Sequence, residues 1–194
     1  TTLFRSDTKV IVEALKTKSE TIDIKAAGTA MRFLTAYLSV REGEHVLTGT
    51  DRMKQRPIGV LVDALRYLGA DIQYEGEVGY PPLRIKGRPL TGGFIEIPGN
   101  VSSQFISALL LIGPMLEKGL ELKLTDEIIS RPYIDLTLCM MRDFGAIADW
   151  TDVDTIRVAA KAYSARDYYI ESDWTASSYW YEIMALADDS EAVV

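Results

Sequence analysis

The chain has 194 residues, 47% of them hydrophobic, with a formal net charge of −7. That length and apolar content suffice for one large domain or two small ones with a real core. The acidic balance argues against a general nucleic-acid binder, which needs a basic face. The longest apolar stretches, such as 106–115, are interrupted by Ser107 and Gly113 and are too short to span a membrane. Charges throughout the first 18 residues leave no secretory leader pattern. One cysteine, Cys139, excludes an internal disulfide framework and fits a reducing compartment; its apolar neighbours predict a core position. One histidine, His45, predicted in a turn, gives a zinc site nothing to build on.

In chain order, residues 8–15 read as a helix with no strand before it. A short strand at 22–24 follows, then a small polar loop and an apolar-periodic helix from Gly28-Thr29-Ala30-Met31-Arg32 onward. Residues 46–48 form the next strand. Arg56-Pro57 then introduces a helix, with Pro57 in its first turn and Gly69 as its stop. Two alternating strands, 71–74 and 83–86, flank Pro81-Pro82. The order then repeats: strand 95–97, loop, helix after Ser102-Ser103-Gln104, strand 120–124, helix from Arg131-Pro132 to Gly145, and strands 146–150 and 155–159. A third strand, loop and helix begin at 168–170. Ile24, Ile97 and Ile170 are separated by 73 residues each, which marks an internal repeat. The unit reads βαβαββ, and the fold class predicted is α+β with helices packed together under sheets. The predicted division is 1–170, an incomplete first unit plus two βαβαββ units, and 171–194, the last strand-loop-helix and the start of a crossover toward a second domain. The Thr-Thr start and the acidic tail after an apolar run suggest a piece of a longer protein.

Each repeat places small polar residues at a helix start, where orphan N–H groups and the helix dipole favour anions by roughly 0.3–1 kcal/mol per helix. Ser102-Ser103-Gln104 offers two hydroxyls and an amide, with Ser102 as cap; the triplet points to ligand contact beyond capping. At Gly28-Thr29-Ala30-Met31-Arg32, Gly28 permits close approach, Thr29 is the predicted cap, and Arg32 opposes the dipole. Ligand or inter-domain pairing and a solvated surface charge account for Arg32 equally well. Asp51-Arg52-Met53-Lys54-Gln55-Arg56 carries three cations in five residues, suited to binding carboxylate or phosphate, or else a solvated run paired with Asp51. Ser130 is a natural cap before Pro132, and Tyr133 either reaches a ligand or packs in the core. Asp173, in the acidic third start, is assigned to capping or a domain junction.

These segments also resemble, in order, the motifs of the 3-phosphoshikimate 1-carboxyvinyltransferase (EPSP synthase) family: Gly28-Thr29-Ala30-Met31-Arg32, Leu47-Thr48-Gly49, Arg52-Met53-Lys54, Arg56-Pro57-Ile58, Leu61-Val62-Asp63-Ala64-Leu65, Tyr80-Pro81-Pro82-Leu83, Val101-Ser102-Ser103-Gln104-Phe105 and Pro132-Tyr133-Ile134-Asp135. The resemblance implies one of the two domains of an enolpyruvyl-transferase fold, an inside-out α/β barrel, with the active site in the cleft between domains. It implies transfer of the carboxyvinyl group of phosphoenolpyruvate to the 5-hydroxyl of shikimate-3-phosphate, releasing phosphate, on the route to chorismate and aromatic amino acids. No cofactor or metal is expected, the setting is cytoplasmic, and the full-length protein is expected to be a monomer. By resemblance, Ser102, Ser103, Gln104, Ser130 and Tyr133 hold shikimate-3-phosphate; Gly28, Arg52 and Gln104 contact phosphoenolpyruvate; Thr29 and Arg32 are possible additions. The acid–base residues belong to the second domain, so the chain alone is expected to be inactive. Many members have Asn and Pro where this chain has Ala26 and Phe33, so inhibitor sensitivity does not carry over. The alternatives are a related transferase acting on a UDP-amino sugar, which often carries a loop Cys absent here, and a non-catalytic anion-binding module.

Overall fold

A computed structural model describes residues 6–17, 19–170 and 174–187. The chain divides into two compact units, Thr1–Ser164 and Ala165–Val194.

The first unit opens with helix α1 (Ser6–Lys16). Then come β1 (Thr21–Asp23), α2 (Gly28–Val40), β2 (Gly43–Thr48), the short α3 (Asp51–Lys54), α4 (Gly59–Tyr67), β3 (Asp71–Tyr74) and β4 (Leu83–Gly87). The next repeat is β5 (Gly93–Pro98), α5 (Ser103–Ile112), β6 (Leu120–Thr125), α6 (Arg131–Asp143), β7 (Ala148–Trp150) and β8 (Thr155–Val158), with a 3-10 turn at Gly113–Met115 after α5. Each βαβαββ repeat closes one four-stranded sheet, ordered β1-β2-β4-β3 and β5-β6-β8-β7. The first two strands of each pair in parallel, and the last two pair antiparallel through the fourth.

Strand alternation explains why each sheet buries one face. In the first, Ile22, Leu47, Ile72, Leu83 and Ile85 turn inward; in the second, Ile95, Ile97, Leu122, Leu124 and Ile156 do. Burying each such side chain contributes roughly 1.5–3 kcal/mol. The outward faces carry charge. Arg84 on β4 meets Glu20, Glu44 and Glu75, and a row of Phe94, Glu121, Arg157 and Asp149 crosses the second sheet.

Helices occupy the space beneath the sheets. Helix α5 buries seven of its ten residues, which explains its nearly all-apolar sequence; α2, α4 and α6 pack against it. In α2 the small residues Gly28, Ala30 and Ala36 are all buried. Its buried Thr35 and Ser39 hydroxyls donate to the carbonyls of Met31 and Thr35, both at 2.7 Å, so neither is left unsatisfied. Helices α4 and α6 stop at equivalent points, where Gly69 (φ +102°) and Gly145 (φ +85°) adopt the left-handed conformation.

Several expectations change. Helix α4 starts at Gly59, two residues beyond Pro57, because α3 and its turn occupy the preceding stretch. His45 lies in β2, paired with Ile85, and not in a turn. Cys139 is exposed; α6 is amphipathic, and Ile134, Leu138 and Met141 form its buried stripe. The repeat is real, but its two complete units are offset by 75 residues (99 − 24), not 73. By hydrogen bonding, Ile24 N–H to Thr48 O matches Gly99 N–H to Thr125 O, so Ile24 corresponds to Gly99, two positions past Ile97. Residues 168–170 form no strand. The first strand of each complete repeat pairs with the strand after its helix, and among the described residues no strand follows α7 (Trp174–Leu186), the helix of the second unit. Asp173 lies outside the described residues.

Candidate functional site

The topology brings helix starts together. Within each repeat, the first two strands are parallel, so both helices depart from strand C-terminal ends on the same edge of the sheet. The first helices of the two repeats, α2 and α5, pack side by side. Their starts are joined directly: Gln104 Nε2 donates to Thr29 Oγ1 at 3.1 Å. Two N-terminal dipoles thus point to one region.

At the start of α5, Ser102 is the N-cap and its Oγ accepts from the Gln104 backbone N–H at 3.4 Å, as expected. Ser103 and Gln104 are half-buried. At the start of α2 the expected cap is not found. The N-cap residue is Ala27, which has no capping side chain, and Thr29 lies inside the helix with its hydroxyl used by Gln104.

Arg32 is not a solvated surface charge. It is 5% exposed, its Nη1 donates to Gly28 O at 3.0 Å, and its guanidinium carbon lies 5.7 Å from the centroid of the Phe105 ring. Its Nε is buried without a partner among the described residues. Burial, with a smaller contribution from the Arg56 guanidinium, pushes its pKa down to about 10. Arg56 reaches the same place. A Cβ on Gly28 would collide with the Arg56 guanidinium and lie 3.1 Å from Arg32 Nη1.

Beside this cluster, Ala26, Thr50, Arg52, Met53 and Arg56 line a cavity of about 440 Å³. The loops that form it are fixed to each other by the bond from Thr50 N–H to Lys25 O, at 3.0 Å. Asp51 does not neutralise the arginines, because it pairs with Lys54 at 3.2 Å. Larger clefts lie between α4 and β5 (about 480 Å³) and over the outer face of the second sheet (about 570 Å³). The first has no cationic lining residue, and in the second Lys118 and Arg157 are matched by Glu121 and Asp149. Neither has the charge imbalance of the arginine cavity.

Ser130 is the N-cap residue of α6 but makes no side-chain capping bond. Arg131 anchors this helix start, its guanidinium carbon 4.0 Å from the Trp150 ring centroid and its Nη1 donating to Val153 O at 2.9 Å. Trp150 Nε1 in turn donates to Asp135 at 2.7 Å. Tyr133 is 61% exposed, which removes the core-packing reading. Direct contacts therefore unite Gly28, Thr29, Arg32, Arg56 and Gln104, with Ser102 and Ser103 on the same helix end and Arg52 in the adjoining cavity. Ser130 and Tyr133 share the sheet edge without touching this cluster through any hydrogen bond among the described residues. Sequence alone does not single out Arg56; it is visible there only as the third cation of the run that begins at Arg52.

A family profile described as EPSP synthase (3-phosphoshikimate 1-carboxyvinyltransferase) matches residues 4–194. The chain belongs to the EPSP synthase family. A 3-phosphoshikimate 1-carboxyvinyltransferase from Bacteroides fragilis (strain ATCC 25285) is 59% identical over 185 residues, 95% of this chain and 45% of that protein. One from Colwellia psychrerythraea (strain 34H) is 48% identical over 156 residues, covering 79% of this chain and 37% of that protein. The chain thus spans less than half the length of these EPSP synthase relatives. The solved EPSP synthase structure from Acinetobacter baumannii superimposes with a TM-score of 0.65 at 29% identity, over 77% of this chain and 33% of that one. The two mixed sheets with helices between them fit the enolpyruvyl-transferase fold of EPSP synthase. No helix among the described residues is long and apolar enough to cross a membrane.

Proposed function

We propose that this chain supplies the anion-holding half of an active site for 3-phosphoshikimate 1-carboxyvinyl transfer. The observation that carries the reading is the meeting of the α2 and α5 starts at the Gln104–Thr29 bond, beside arginines with no carboxylate partner among the described residues. Ser102, Ser103 and Gln104, with Ser130 and Tyr133 on the same sheet edge, hold shikimate-3-phosphate. Gly28, Arg52 and Gln104 contact phosphoenolpyruvate, with Thr29 and Arg32 supporting them.

In the whole protein, the phosphoenolpyruvate methylene takes up a proton and the 5-hydroxyl oxygen of shikimate-3-phosphate bonds to the adjacent cation-like carbon, losing its own proton. Loss of a methyl proton then expels inorganic phosphate and leaves the carboxyvinyl ether. The contribution of this chain is to fix both phosphoryl groups with preset N–H, hydroxyl and guanidinium donors, so that no reorganisation accompanies charge development. The proton-transfer groups belong to the rest of the protein, a second domain. On this reading the chain alone turns nothing over, and the whole protein is a cytoplasmic monomer that uses neither cofactor nor nucleic acid.

Titration of the chain with shikimate-3-phosphate tests the reading. Backbone amide shifts at Ser102, Ser103 and Gln104 are expected; unmoved amides at millimolar ligand overturn it.

A further inference from the structure

Among the described residues, three arginines gather at the start of α2 without a carboxylate. Arg32 is 5% exposed, with Nε unpartnered. The Arg56 guanidinium occupies the space into which a Gly28 side chain would project. Arg52 and Arg56 line the 440 Å³ cavity alongside. The neighbouring carboxylates are committed elsewhere, Asp51 to Lys54 and Asp23 to Lys25. Like charges held this close to a helix N-terminus repel one another, and an entering anion relieves the repulsion.

We propose that Arg56, laid over Gly28 and backed by Arg32, is a binding residue for a phosphoryl dianion in the cavity it shares with Arg52. The reasons are geometric and electrostatic. A guanidinium offers a planar fork matched to two oxygens of one group, and a tetrahedral phosphoryl has enough oxygens for more than one fork. A dianion also balances two of the cations, whereas a carboxylate balances one. The absence of a side chain at Gly28 then has a specific purpose, since it leaves room for the Arg56 guanidinium. Arg32, bonded to the Gly28 carbonyl, is a positioning residue that closes the buried side of the pocket. The proposal deepens the function proposed above, on which it rests for the identity of the phosphoryl donor.

The test is binding of inorganic phosphate to the chain, followed by amide shifts and calorimetry, in wild type, Arg56→Gln, Arg56→Lys and Gly28→Ala. Arg157→Gln, on the exposed face of β8, is the charge control. Arg56→Gln is expected to weaken phosphate by about tenfold or more, and Arg56→Lys to recover only part of that because an ammonium cannot fork. Gly28→Ala is expected to weaken phosphate similarly, and to add nothing once Arg56 is already Gln. Arg157→Gln binds as wild type. Since Arg56 is exposed, its variants are expected to keep the fold even where Gly28→Ala does not, which circular dichroism is to check. Phosphoenolpyruvate and free phosphate distinguish the substrate group from the product, and both should depend on Arg56; pyruvate should not compete. Unchanged phosphate affinity in folded Arg56→Gln, no phosphate binding by wild type, or equal competition by pyruvate each overturns the proposal. Arg56-dependent phosphate binding with unmoved Ser102–Gln104 amides under shikimate-3-phosphate sinks the acceptor reading but keeps this one. The converse pattern does the reverse.

Discussion

Gln104 and Thr29, from different repeats, meet through a single 3.1 Å hydrogen bond that fastens the start of α5 to the start of α2. A neutral, half-buried bond of this kind contributes about 1 kcal/mol. Thr29→Val and Gln104→Ala should each lower stability by roughly that amount. In a double-mutant cycle followed by urea unfolding, the pair should couple by ~0.5–1 kcal/mol, because each change removes the same contact. Strict additivity would mean that the bond holds nothing together.

Arg32 costs stability, and in the proposed site it serves binding. Its folded pKa, about 10, lies below the ordinary guanidinium value, so between the two the unfolded chain holds more protons and stability rises with pH. Below pH 10, including neutrality, the buried charge opposes folding. Arg32→Met keeps the bulk and removes the charge. It is expected to match wild type in unfolding free energy at neutral pH or exceed it, by up to ~1 kcal/mol, and to flatten the alkaline rise. Phosphate is expected to raise the wild-type Tm by binding the native state alone and to leave the Tm of this variant nearly unchanged.

Asp23 behaves in the opposite sense. Its carboxyl is held below the ordinary 3.8, chiefly by the hydrogen bond from the Lys25 side chain at 2.5 Å. The contribution is therefore present above 3.8 and lost as the pH falls through the depressed value. Since both partners are exposed, it amounts to ~0–1 kcal/mol. Asp23→Asn should show a slightly lower Tm than wild type at neutral pH, and the gap should close in acid.

Tyr133 and Leu138 lie on opposite faces of α6, one 61% and the other 1% exposed. Leu138→Ala should cost about 2–5 kcal/mol through lost burial and a cavity. Tyr133→Phe should stay within ~0.5 kcal/mol of wild type in unfolding, yet weaken shikimate-3-phosphate in titration. Equal ligand affinity in Tyr133→Phe would remove this residue from the proposed site.

The architecture was legible because strand alternation, the Gly69 and Gly145 stops and the repeated helix starts all carry local signals. Strand 71–74 matches its predicted bounds, and the Ser102 cap forms as its residue type dictates. What stayed hidden depends on neighbours distant in sequence. Thr29 has the composition of a cap, but Gln104 claims its hydroxyl, and no spacing rule links positions in two repeats. The burial of Arg32 under Phe105 and the fit of Arg56 against Gly28 likewise arise only when α2, α3 and α5 assemble. Cys139 departs from its expected core position because apolar neighbours on a helix do not reveal which face turns inward. Residues 168–170 have strand-forming character but lack a paired strand among the described residues.

In each sheet the parallel strands send both helix starts to one rim. The five-residue connection from β4 to β5, residues 88–92, runs along the opposite rim, where Gly43 pairs with Gly87. Leu90 is buried there, whereas Pro89 faces solvent. That far rim is therefore a natural handle: a dye, spin label or surface tether attached at position 89 would leave the arginine pocket open.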